Sequence, residues 1–122
     1  MLDILQWKYY NTIMKEIKFY RLSNGKEPVK EWLLDLDKSI RVKVIRRIER
    51  IYDNNFGDYK QLDSNLYELR FTIGKGYRIY FTIQNDIIVL LLNAGDKSKQ
   101  SKDIELAKMY LKDIKDNKND WF

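Results

Sequence analysis

The stretch Leu66–Ile83, LYELRFTIGKGYRIYFTI, decides the fold. Tyr67, Leu69, Phe71 and Ile73 alternate with polar residues before a glycine-rich break, and Tyr77, Ile79, Phe81 and Ile83 alternate after it. A period of two marks a strand with one buried face. Gly74-Lys75-Gly76 tolerates positive φ, so the whole reads as a β-hairpin. For both apolar sets to share a face, paired residue numbers must sum to an even value. Pairing Ile73 with Tyr77 through a three-residue loop satisfies this. It sets Glu68, Arg70 and Thr72 against Thr82, Tyr80 and Arg78 on the opposite face, with Arg70 across from Tyr80 and Arg78 on its diagonal.

Outward from the hairpin, Gln84-Asn85 turns into Asp86–Leu92, whose unbroken apolar run predicts a strand covered on both faces. Asn93-Ala94-Gly95-Asp96 ends it, and a helix follows from near Ser101, with Ile104, Ala107, Leu111 and Ile114 on its buried side. Upstream, Lys15–Leu22 alternates around Ile17 and Phe19 and reads as a strand closed by Ser23-Asn24-Gly25. Pro28 suits a first helical position; Val29, Trp32, Leu33 and Leu36 carry a short helix to about Asp37. A second helix runs from Ser39, taken as its N-cap, to Tyr52, with Ile40, Val44, Ile48 and Ile51 as its apolar stripe. Asn54–Asp58 is a loop. The order of strand, two helices, three antiparallel strands and helix is an α+β fold with helices packed on one sheet. Residues 1–13 lack a clear period and read as an extension preceding a natural start at Met14, or as a short packing arm. Residues 14–115 form the domain and 116–122 a frayed tail.

At 122 residues the chain fits one domain. A formal charge of +5 favours an anionic partner, nucleic acid or acidic protein. Cysteine and histidine are both absent, which excludes thiolate nucleophiles, imidazole acid–base chemistry and most zinc sites. Catalysis is left to Lys, Arg, Tyr, Asp or Glu. Asp35, Asp37, Asp58 and Asp63 lack metal-ligand spacing, so neither metal nor cofactor is expected. The longest apolar run, Ile87–Leu92, is far short of the roughly 20 residues of a membrane helix, and the N-terminus lacks the order of a signal peptide. The expectation is a soluble, cytoplasmic protein without a membrane partner.

The polar hairpin face gathers two guanidiniums and a phenol. Like charges facing each other on a sheet are unfavourable unless an anion joins them, and a phosphodiester is a natural candidate. The alternatives are a solvated surface or a partner-protein contact. Tyr67 and Tyr77 read as core or rim. Gly95–Gln100 lies between a strand end and a helix N-terminus, where backbone N–H groups can meet anions; Lys97 and Lys99 add charge, as does Lys75 at the hairpin tip. The second helix turns Arg41, Lys43, Arg46, Arg47 and Arg50 outward, a face suited to RNA phosphates or simply to solvent.

The segments YRLSNGKEPVKEWLLDL, FGDYKQL, LYELRFTIGKGYRIYF, LLLNAGDKSKQ and KDIELA together resemble, in order, the addiction-module killer proteins of the HigB-like branch of the RelE/ParE superfamily. The resemblance spans roughly Ile17 to Tyr110. It implies a RelE-type fold, a small antiparallel twisted sheet holding two N-terminal helices, with a short C-terminal helix. It implies the toxin of a type II toxin–antitoxin pair: a ribosome-dependent mRNA endoribonuclease, independent of metal, working by attack of a 2′-OH on the adjacent phosphate. The implied partners are the ribosome, mRNA and a cognate helix-turn-helix antitoxin, with the toxin a monomer inside that complex.

Carried across residue by residue, the resemblance puts catalytic roles on Arg70, Arg78 and Lys97. Glu68 stands where RelE has a second lysine, and Asp103 where it has a tyrosine; the histidines of some HigB toxins have no counterpart. The arginines suit charge stabilisation on phosphate. Acid and base candidates are a desolvated Lys97, Tyr80, Asp103, and Glu68 provided that no salt bridge with Arg70 consumes it. RNA contacts are expected at Lys75, Lys99, Arg46, Arg47 and Arg50. Two other readings stand beside this one: a ParE-like gyrase inhibitor, and a non-enzymatic antitoxin-binding regulator.

Overall fold

The computed structural model describes residues 3–6 and 15–117. The extension expected at 1–13 and the tail expected at 116–122 therefore fall largely outside the described residues. In chain order the elements are β1 (Glu16–Phe19), α1 (Pro28–Asp35), α2 (Lys38–Arg50) with a 3-10 turn at Ile51–Asp53, β2 (Tyr59–Asp63), β3 (Leu66–Arg70), β4 (Tyr77–Gln84), β5 (Ile88–Asp96), a 3-10 turn at Lys97–Lys99, and α3 (Gln100–Asp116). The class is α+β, as the patterning predicts.

Five strands form one sheet in the order β1-β5-β4-β3-β2. Two features differ from expectation. β1 runs parallel to β5, pairing Ile17 with Val89 and Phe19 with Leu91, so the sheet is mixed rather than antiparallel. A strand absent from the sequence reading, β2, adds an outer edge to β3. Its YKQLD sequence is mostly exposed and hides only Leu62 in part, so it carries no alternation to betray it.

Helices cover both faces. On one side, α1 and α2 bury Val29, Leu33, Val44 and Ile48 against Leu69, Phe71, Ile79, Phe81, Val89 and Leu91. On the other, α3 brings Ala107 and Ile114 onto Tyr20, Leu66, Tyr80, Leu90 and Leu92. At roughly 1.5–3 kcal/mol per fully buried aliphatic or aromatic side chain, these two layers are the main favourable contribution to folding. β5 is covered on both sides, as its apolar run predicts. α3 is not short: at 17 residues it is the longest helix described, and it roofs the sheet face that carries Glu68, Arg70, Arg78 and Tyr80.

Local chemistry explains the boundaries. Pro28 opens α1. The N-cap of α2 is Asp37 rather than Ser39: its carboxylate accepts from Ser39 N at 3.3 Å and from Ser39 Oγ at 2.6 Å. Asn85 and Asp86 at φ 55° and 58° make the tight β4–β5 turn. A bulge in the β4–β5 ladder follows Tyr80, which pairs with Asn93, while Phe81 pairs with Leu91. It lets both Leu92 and Asn93 serve the α3 side: Leu92 packs with Ala107, and Asn93 Nδ2 donates to Asp103 O at 2.9 Å.

Candidate functional site, a cationic patch on the β3–β4 sheet end

The hairpin keeps the expected parity but shifts by two residues. Arg70 pairs with Arg78 and Glu68 with Tyr80, where Arg70 opposite Tyr80 was expected. β3 stops at Arg70, and the Phe71 amide donates to Tyr77 O at 2.9 Å, so the loop spans Thr72–Gly76. Gly74 and Gly76 both take positive φ within it. The Phe71–Tyr77 bond makes Arg70 and Arg78 the next, non-hydrogen-bonded pair, the position at which side chains of adjacent strands stand closest.

Two arginines thus start side by side on adjacent strands. Each leans on its own carboxylate: Arg70 Nη2 lies 3.1 Å from Asp58 Oδ1, and Arg78 Nε lies 3.4 Å from Glu68 Oε2. The settings differ. The Arg70 and Asp58 side chains are 39% and 49% exposed, a surface pair; those of Arg78 and Glu68 are 14% and 1% exposed, a buried one. Glu68 also accepts from Gln100 Nε2 at 2.8 Å. The sequence reading allowed Glu68 a role as base only if no salt bridge consumed it. One does, although its partner is Arg78 rather than Arg70.

Lys97 joins the patch. A Cβ built on Gly76 would lie 3.7 Å from Lys97 Cβ and 3.8 Å from Arg78 Nη1, so Gly76 sits between the base of the Lys97 side chain and the Arg78 guanidinium. Lys97 is exposed. Lys99 and Lys75 lie near enough to Asp96 to hold its carboxyl below the usual range, after the larger effect of its bond with Ser98. The patch therefore gathers Arg70, Arg78, Lys97, Lys75 and Lys99 around a single sheet end, with Asp96 among them.

Tyr80 is buried, with Glu68 beside its phenol. Burial first, then the charges of Glu68 and Asp103, push its phenol well above the ordinary value. It stays protonated at neutral pH and is a poor base. Asp103 is different. It enters over Gly95, the residue paired with Arg78, and a Cβ at Gly95 would overlap Asp103 Oδ2. That oxygen is buried without a partner. Burial raises the Asp103 carboxyl above its ordinary range, and Lys99 partly opposes this. A carboxyl so tuned is suited to exchanging protons.

Arg47 does not belong to the outer basic face predicted for α2. Its guanidinium turns inward, donating to Arg70 O at 2.5 Å and to Phe56 O and Asp58 O at 2.9 Å each, and lies 4.6 Å over the Phe71 ring. It braces the backbone of both residues in the Arg70–Asp58 pair. Arg46 and Arg50 remain exposed on α2, remote in sequence and element from the patch. Gln100, which the sequence reading placed at the end of a candidate anion-binding junction without a role of its own, contacts Glu68 directly; its place in the LLLNAGDKSKQ segment was the available signal.

Residues 31–119 match the family described as Phage derived protein Gp49-like (DUF891). The chain belongs to that Gp49-like family. This is the RelE-like toxin family of toxin–antitoxin systems, and membership carries with it an antitoxin partner. A protein of Haemophilus influenzae, described as "Uncharacterized protein", is 44% identical over 85 residues, covering 68% of this chain and 85% of its own length. The match to the Gp49-like family begins within α1 and runs through α3, and so includes every residue of the patch. Among the described residues, no helix is long and apolar enough to cross a membrane, and no group of acidic side chains is arranged to hold a metal ion.

Proposed function

We propose that this Gp49-like protein is a type II toxin of the HigB-like kind, a ribosome-dependent mRNA endoribonuclease neutralised by a helix-turn-helix antitoxin. The observation that carries the reading is the direct pairing of Arg70 with Arg78 beside Lys97. Guanidiniums stay charged at any working pH and grip phosphate oxygens in a fork. Two of them on adjacent strands match the spread negative charge of a pentacoordinate phosphate.

In the proposed reaction the 2′-oxygen attacks the adjacent phosphorus and loses its proton to a base. The bond from phosphorus to the 5′-oxygen breaks, and an acid returns a proton to that oxygen. A 2′,3′-cyclic phosphate and a 5′-hydroxyl result, with no metal in any step. Arg70, Arg78 and Lys97 stabilise the phosphorane. Asp103, with its raised carboxyl, is the proton-exchanging group that the geometry favours; Glu68 is held by Arg78, and Tyr80 is held protonated. Lys75 and Lys99 guide the RNA, and Arg46 and Arg50 offer a second phosphate-binding face.

Expression in growing cells separates this from gyrase poisoning and from a purely regulatory role. Labelled amino acid incorporation should fall within minutes, ahead of DNA synthesis and without a DNA-damage response. Early DNA damage would instead indicate gyrase, and unimpeded growth a regulator.

A further inference from the structure

We propose that Gln100 and Glu68 are positioning residues that aim Arg78 at the phosphate, an inference that rests on the function proposed above. Three observations converge. Glu68 is 1% exposed, so its carboxylate has no water to satisfy it. Its Oε2 receives two cross-element contacts, Gln100 Nε2 at 2.8 Å from the first turn of α3 and Arg78 Nε at 3.4 Å from β4. Arg78 Nη1 in turn donates to Gly76 O at 3.2 Å, within the hairpin loop.

The guanidinium is thereby placed by an ion pair with Glu68 on its Nε side, without a hydrogen bond at Nε, and by a hydrogen bond from one Nη to the loop. A buried carboxylate on the Nε side leaves the remaining Nη donors to face a phosphate. Gln100 matters because one oxygen serves both contacts. Remove its amide, and Glu68 is free to rotate about its last torsion and carry Arg78 with it. Gln100 touches no substrate in this arrangement; it acts on Arg78 through Glu68. It also ties the entry of α3, where Asp103 sits, to the strand that carries Arg70.

The test is Gln100→Met, which keeps side-chain length and removes the amide that donates to Glu68, with Glu68→Gln as the second variant. Each is compared with the wild-type protein in steady-state cleavage of message on ribosomes, and the Arg78 Nε–H resonance is followed by nitrogen-15 NMR. Gln100→Met should lower kcat on the order of ten- to a hundred-fold, the range for a misaimed catalytic group, with KM and the unfolding midpoint nearly unchanged. Its Arg78 Nε–H signal should shift and exchange faster with solvent. Glu68→Gln should show the same Nε–H change. An unaltered rate, or an unaltered Nε–H signal, in Gln100→Met overturns the proposal. If the wild-type protein cleaves no RNA, the proposed function fails by itself, and the NMR comparison still decides whether Gln100 holds Arg78.

Discussion

The two arginines of the patch should behave unlike each other. Arg70 and Asp58 form a half-exposed pair, a class in which the stability contribution is at most about 1 kcal/mol. Arg70→Ala should therefore leave the urea midpoint nearly in place while cutting cleavage on the order of 10²-fold, the typical effect of removing one preorganised phosphate-stabilising donor. Arg78→Ala leaves the buried Glu68 carboxylate without its counter-ion, and breaking a buried pair from one side costs about 3–5 kcal/mol. Its loss of toxicity would mix chemistry with unfolding. Pairing it with Glu68→Gln should recover much of the stability and none of the activity, a contrast that equilibrium denaturation and a cleavage assay resolve together.

At the scale of elements, the basic face of α2 divides. Arg47→Met removes donors from three backbone carbonyls that bind Arg70, Phe56 and Asp58 into the end of the sheet. It should destabilise by several kcal/mol, counting about 1.5–3 kcal/mol per charged hydrogen bond. Arg46→Ala and Arg50→Ala, both exposed, should shift the thermal midpoint little. Helical periodicity placed all three on one polar stripe, because it records where a side chain starts and not where a long one ends. The hairpin teaches the same lesson. Alternation in LYELRFTIGKGYRIYF settles which face each residue serves but is indifferent to a slide of two, so Arg70 opposite Arg78 and Arg70 opposite Tyr80 read alike. The loop breaks the tie, and its Thr72–Gly76 span was not visible from the glycines alone. β1 shows a further limit: Ile17 and Phe19 declare a strand, yet nothing local says that its partner lies some seventy residues away and runs parallel. The roof over the patch was hidden for a related reason. The stripe of Ile104, Ala107, Leu111 and Ile114 demands burial without naming the sheet face that supplies it.

For the whole molecule, charge and titration set the expectations. With a net charge of +5, binding to RNA should weaken steeply as salt rises, and Lys97→Ala should reduce the slope of log affinity against log salt by about one phosphate equivalent, roughly 0.7. The raised Asp103 carboxyl also gives a sign for stability. Folding disfavours its ionised form, so the penalty is absent below the ordinary carboxylate pKa, where both folded and unfolded chains are protonated. It grows as pH rises and is complete above the folded value. Asp103→Asn should therefore gain on the wild-type protein in urea midpoint as pH is raised through that window, while losing the pH dependence of cleavage that the wild type shows there. A constant midpoint difference across the window would remove Asp103 from the proton-exchange role.

The central claim, that the paired arginines act on translated message, is tested most directly by primer extension on an mRNA in a purified translation system, with and without ribosomes. The account predicts cuts within the reading frame only when ribosomes are present, and their disappearance with Arg70→Ala at unchanged stability. Intact message under conditions in which the wild-type protein still halts growth would contradict it.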